Sequence, residues 1–61
     1  MKLRDYLTKH DLSISEFARM IGTDRSAIHR WFEGKAHPRV EIARRIVAVT
    51  KGIVSFEDLY A

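Results

Sequence analysis

Glycine and proline are few in this chain, and each falls where a hydrophobic pattern stops. Gly22 separates two amphipathic stretches, Gly34 to Pro38 reads as a loop, and Gly52 ends a further patterned stretch. The segments left between these breaks are short, and their apolar residues recur at helical spacing. Such a chain is confined to packing several short helices around one core. The reading is five helical segments and no convincing strand, an all-α domain.

The first helix covers about Lys2 to Lys9, with Leu3, Tyr6, Leu7 and His10 at the i, i+3, i+4, i+7 spacing of one face. Ser13 and Glu16 match a capping box, in which each side chain satisfies a backbone amide at a helix start. Phe17, Met20 and Ile21 then face inward beside the small Ala18, and Gly22 suits the left-handed residue that stops a helix. Asp24 is a good N-cap for a third helix that runs to about Glu33. Pro38 precedes a fourth, roughly Arg39 to Thr50, whose inner stripe is Ala43, Ile46, Val47 and Thr50, with Ile42 and Val49 beside it. Ser55 opens a last helical turn anchored by Phe56, Leu59 and Tyr60, although Gly52 to Phe56 could instead form a strand.

With 61 residues there is room for one domain, taken as residues 1–61. Cysteine is absent, which excludes disulfides and thiolate metal sites and fits a reducing cytoplasm. No apolar run approaches the ~20 residues that span a bilayer, and the amphipathic N-terminus lacks a signal-peptide core. The expectation is a soluble, cytoplasmic protein. The net charge is only +3, but Arg25 to Arg45 holds six basic and two acidic residues, against five basic and six acidic elsewhere. A basic middle third suggests a polyanion as partner; scattered surface charge is the alternative.

The third helix sharpens that choice. At about 100° per residue from Arg25, the side chains of His29, Ser26 and Arg30 fall within about 140° on one side, and Ala27, Trp31, Ile28 and Phe32 fall on the other. An exposed helix face usually mixes lysine, glutamate and glutamine. This one carries two guanidinium forks, a hydroxyl and an imidazole. Arginine makes paired hydrogen bonds to the O6 and N7 edge of guanine in the major groove, and serine and histidine also reach base edges. A brace helix joined by a tight turn lets such a helix enter the groove by its N-terminal end.

The stretch "SEFARMIGTDRSAIHRWFEGK" resembles the helix-turn-helix of the phage repressor and Cro family, also called the XRE family. Ala18 matches the small residue at the helix crossing and Gly22 the turn glycine. Phe17, Ile21, Ile28 and Trp31 match buried positions. "FEGKAHP" resembles the loop after the recognition helix, and "AVTKGIVSFEDL" the tail of short members, so the likeness covers about residues 1 to 60. It implies a compact five-helix, lambda-repressor-like domain with its helix-turn-helix at about 14–33, acting as a Cro-like repressor on a double-stranded DNA operator.

The resemblance implies base contacts by Arg25, Ser26 and Arg30, with His29 between them on a base or a phosphate. It implies phosphate contacts by Ser15, at the start of the second helix beside Glu16, and by Lys35, His37 and Arg39 in the loop. Ile14 departs from the family, many members of which carry glutamine there to buttress a base-reading side chain. A solvated helix face is the alternative for the arginines, and a helix-start role for Ser26. Arg44 and Arg45 read as the exposed side of the fourth helix.

Two copies on a palindromic site would give the specificity one copy lacks. Val49, Ile53, Val54, Phe56 and Tyr60 are candidates for a weak homodimer surface through the C-terminal segment, unless they complete the core. No histidine pair stands at metal-ligand spacing on one helix, and no phosphate loop or nucleophile setting is visible. Neither an enzyme, a cofactor nor a small-molecule ligand is expected. The rivals to a plain regulator are a purely protein-binding helical module, which would call for an apolar exposed groove where the outer face of the third helix is cationic, and an antitoxin-type protein that binds a partner protein and regulates its own operon.

Overall fold

The computed structural model describes residues 1–60; Ala61, the last residue of the expected domain, lies outside them. Five helices follow in order: α1 (Leu3–Lys9), α2 (Ile14–Ile21), α3 (Arg25–Phe32), α4 (Val40–Val49) and α5 (Phe56–Tyr60). No strand occurs among the described residues, and Ile53 and Val54 lie in a bend, so the all-helical reading of the C-terminal segment holds.

Local chemistry sets the helix ends. The Ser13 hydroxyl accepts from the Glu16 amide (3.0 Å), and the Glu16 carboxylate accepts from the Ser13 amide (3.2 Å), so the expected capping box starts α2. Asp24 caps α3 by accepting from the Ala27 amide at 2.8 Å. Gly22 ends α2 in the left-handed region (φ 76°, ψ 35°), which lets the chain reverse within a few residues into α3. Asp11 (φ 53°) and Lys51 (φ 54°) hold the same backbone conformation after α1 and α4 with ordinary L side chains.

The core gathers Leu3, Tyr6 and Leu7 from α1, Phe17, Ala18 and Ile21 from α2, Ile28 from α3 and Ile46 from α4. Phe17, Ile28 and Ile46 are 0% exposed; burying each side chain this completely stabilises the fold by roughly 1.5–3 kcal/mol. α2 packs on both α3 and α4, and α5 packs on α4. Trp31 and Phe32 close the edge of this core and remain half-buried.

Four expected positions differ. Phe56, expected to anchor the last helical turn, is 43% exposed and outside the core, where Leu59 alone of the expected anchors packs. Met20 is 49% exposed and does not face inward. At about 100° per residue, the buried arc of α2 is centred between Phe17 and Ala18, on Ile14 and Ile21, and Met20 falls about 60° outside Phe17. His10 is exposed at the end of α1, where its ring covers that of Tyr6 (centroids 4.2 Å apart). Val54, taken as a candidate for a dimer surface, is 0% exposed and part of the core. The cause is Thr50, itself buried: its hydroxyl donates to the Ile46 carbonyl (2.8 Å) and accepts from the Val54 amide (3.2 Å), folding the chain back under α4.

Arg45 is not merely on the outer side of α4. Its Nη1 donates to the Ile21 carbonyl at 3.2 Å, closing the C-terminal end of α2 from the neighbouring helix. A Cβ on residue 22 would lie 2.8 Å from that nitrogen. Gly22 thus supplies both the left-handed turn and the space for the guanidinium. At the other end of the chain, α5 begins with its own reciprocal cap. The Asp58 carboxylate accepts from the Ser55 amide (3.0 Å) and hydroxyl (3.0 Å), and the Met1 ammonium adds a 2.9 Å bond. The Ser55 backbone bond foremost, then the ammonium, hold the Asp58 carboxyl down from the usual 3.8 to about 2.

Alanine at Gly22 is expected to cost more than about 1 kcal/mol in urea unfolding, because it strains the turn and also displaces Arg45. In an Arg45→Ala background the same change costs less, since only the backbone strain remains; equal costs in both backgrounds would refute the shared-space account. For Asp58, the folded pKa lies below the unfolded one, so its contribution is full above about pH 4 and is lost as pH falls toward 2. The thermal midpoint of Asp58→Asn is expected to lie below the parent's at pH 7, with the gap narrowing as the parent is acidified through that window.

Candidate nucleic-acid interface

α3 is anchored by Ile28 and half-buried along Ala27, Trp31 and Phe32, which leaves Arg25, Ser26, His29 and Arg30 exposed on its outer side. Among the described residues, none of these four side chains takes part in an intramolecular hydrogen bond or ion pair. Their donors therefore face solvent as a set, on a helix whose first turn is already capped by Asp24.

The loop after α3 is short and begins in a defined way. The Gly34 amide donates to the Trp31 carbonyl (3.1 Å) and the Lys35 amide to the Arg30 carbonyl (3.0 Å), finishing the helix. Lys35 then reaches back to Glu33 with 3.8 Å between charged atoms; both side chains are well exposed, so the pair is weak and easily exchanged for another anion. His37 and Arg39 are exposed on either side of the buried Pro38. Arg39 is the N-cap residue of α4 but makes no side-chain cap, so its guanidinium is not drawn onto the helix it precedes.

These elements meet in space. Arg30, His37 and Arg39 line one polar groove, whose other wall is the α2–α3 turn at Thr23 and Asp24. Two expected phosphate-contacting residues and one expected base-contacting residue are thereby brought together. His29 turns to the opposite flank, into a cleft between α1 and α3 shared with Arg4, Thr8 and Glu33. Ser15 stands apart on α2, exposed in its first turn. The adjoining Glu16 does not favour an anion there. Bonds from the Ser13 backbone and hydroxyl hold its carboxyl below the usual carboxylate range, leaving a negative charge at the α2 N-terminus.

Sequence reasoning missed three residues that shape this surface. Arg4 lies over the Phe32 ring (4.8 Å to the centroid), placing a cation from α1 beside the end of α3. Arg45 holds the end of α2, and the Tyr60 hydroxyl donates to the Pro38 carbonyl at 2.8 Å. Each contact joins distant parts of the chain and leaves no periodic trace within its own helix.

Among the described residues, no helix is long and apolar enough to cross a membrane. Comparison with curated proteins and with solved structures gives no match. A family model described as helix-turn-helix does match, over residues 3–59, which takes in all of α1 to α4 and most of α5. The exposed polar face of α3, its short turn from α2 and this nearly full-length match lead to one conclusion. The chain belongs to the helix-turn-helix family of the phage repressor and Cro (XRE) type, a family of regulators of transcription that bind double-stranded DNA.

Proposed function

We propose that this protein is a Cro-like repressor that reads the major groove with α3 and blocks transcription by occupying an operator. The observation that carries the reading is the set of exposed, unpartnered Arg25, Ser26, His29 and Arg30 side chains on one side of that helix. Arg25 and Arg30 are the readers, each suited to the O6 and N7 edge of a guanine. Ser26 contacts a base early in the helix, and His29, on the α1 side, a base or the adjoining backbone.

Lys35, His37 and Arg39 grip phosphates from the loop, which sets the register of α3 in the groove without reading sequence. Ser15 is the weakest of the proposed contacts. The capping box takes up the Ser13 and Glu16 amides, so a phosphate at α2 would rely on the amides of Ile14 and Ser15 and on the Ser15 hydroxyl, against the charge of Glu16. The domain, taken as residues 1–61, acts in the cytoplasm and needs no cofactor.

Ile53 and Phe56, 46% and 43% exposed, with part of Tyr60, offer a small apolar surface for a weak homodimer near the C-terminal end. Val54, buried in the core, and Val49, packed against it, have no place in it. Two copies assembled on DNA would read half-sites about one helical turn, or 34–36 Å, apart.

Selection from a random duplex pool at moderate salt, with sequencing of the bound fraction, tests the reading. A palindrome supports a dimeric regulator and a single half-site a monomeric one. No enrichment, with retention lost as salt rises, would reject the repressor in favour of a protein partner such as a toxin. With a selected site in hand, Arg25→Ala or Arg30→Ala is expected to cost about 1–3 kcal/mol at one base pair and to relax preference there. Lys35→Ala is expected to weaken all sequences alike and to flatten the salt dependence by about one contact. Equal losses on every sequence for Arg25→Ala would remove it from the readers.

A further inference from the structure

The stretch Ala36 to Pro38 carries the loop from the end of α3 to the start of α4. Among the described residues, the bond from Tyr60 to the Pro38 carbonyl is the one hydrogen bond that reaches it. That carbonyl and the Arg39 amide belong to a single planar peptide unit. Holding the oxygen at 2.8 Å therefore fixes the plane from which Arg39 starts, and the Arg39 carbonyl in turn accepts the first bond of α4, from the Ala43 amide (2.8 Å). On the other side of Pro38, the His37 ring lies 5.9 Å from the Tyr60 ring, tilted by 55°. One side chain, from the last residue of α5, thus bonds Pro38 and lies beside His37, and it bears on Arg39 through the shared peptide unit. α5 itself is tied down by the Ser55–Asp58 cap and by the Met1 ammonium on Asp58.

We infer that Tyr60 is a positioning residue for the DNA backbone grip: the C-terminal helix sets where His37 and Arg39 meet phosphate. The inference rests on the reading of this loop as a phosphate contact. It adds that the grip is built from outside the helix-turn-helix, by a residue that itself touches no DNA. Removing the hydroxyl frees the Pro38–Arg39 peptide, so part of the binding energy goes into ordering it.

Binding of a random-sequence duplex, followed by anisotropy across a salt series, tests this with wild type, Tyr60→Phe, Arg39→Ala and the double variant. Arg39→Ala is expected to lower the slope of log affinity against log salt by about one contact. Tyr60→Phe is expected to weaken binding about two- to tenfold, as for one lost hydrogen bond, and to lower the slope as well. Arg39→Ala should then cost less in the Tyr60→Phe chain than in wild type. In the free protein, the Arg39 and His37 amide resonances should shift in Tyr60→Phe while those of α2 and α3 stay in place.

Normal affinity and slope in Tyr60→Phe, beside a clear loss in Arg39→Ala, would overturn the strut and leave the loop reading intact. No loss in Arg39→Ala would overturn the loop reading, and the strut with it. A Tyr60→Phe chain that fails to fold would also overturn the inference, because the hydroxyl would then hold the domain and not the loop.

Discussion

Of the eight residues of α3, Ile28 alone is fully buried, and the rest of the molecule is arranged so that this one side chain can be. It enters a core shared with Phe17 and Ile21 of α2 and Ile46 of α4, where none of the four is more than 1% exposed. Interiors packed at this density do not allow a helix to rotate without leaving a void or forcing a clash. The angle at which α3 presents its outer side is therefore set by apolar packing behind it. The polar residues on that side are left without a structural task, which is the condition a reading surface needs.

The same economy explains why charge plays so small a part in holding the fold. Two ion pairs occur among the described residues, Met1–Asp58 and Lys35–Glu33. The second is exposed and loose. The cations of the middle third instead point outward, save that Arg45 does local work, as does Arg4 from α1. Arg45 caps the end of α2, and Arg4 lies on the ring of Phe32. Both of these stand behind or beside α3. They tie the ends of α2 and α3 to neighbouring helices while most of the positive charge stays exposed.

The helices themselves were legible in the sequence because their signals are local. The Ser13–Glu16 box, the Asp24 cap and the left-handed Gly22 each act within four residues, and each is present as read. The exposed set on α3 was legible for the same reason, since one helical period decides which side Ile28 takes. What could not be read depends on contacts between segments. Met20 sits at the margin of the buried arc of α2, and only its neighbours decide that it faces water. Val54 and Tyr60 looked alike as apolar residues near the end of the chain. One is drawn into the core by the Thr50 hydroxyl, and the other is turned onto a loop twenty-two positions away. The meeting of Arg30, His37 and Arg39 in one groove is of this kind too, for it depends on how the loop closes against the α2–α3 turn.

Asp11 and Lys51 hold left-handed backbone without being glycine. A side chain such as lysine is strained there by roughly 1–2 kcal/mol, which asparagine and aspartate tolerate better and glycine avoids. Both positions lie outside α3 and the loop that follows it. The scaffold thus holds local strain placed where it can be relieved without altering the outer side of α3. Glycine or asparagine, at Lys51 above all, would yield a more stable parent. In such a parent, truncating a side chain on the outer side of α3 would be less masked by loss of folded protein.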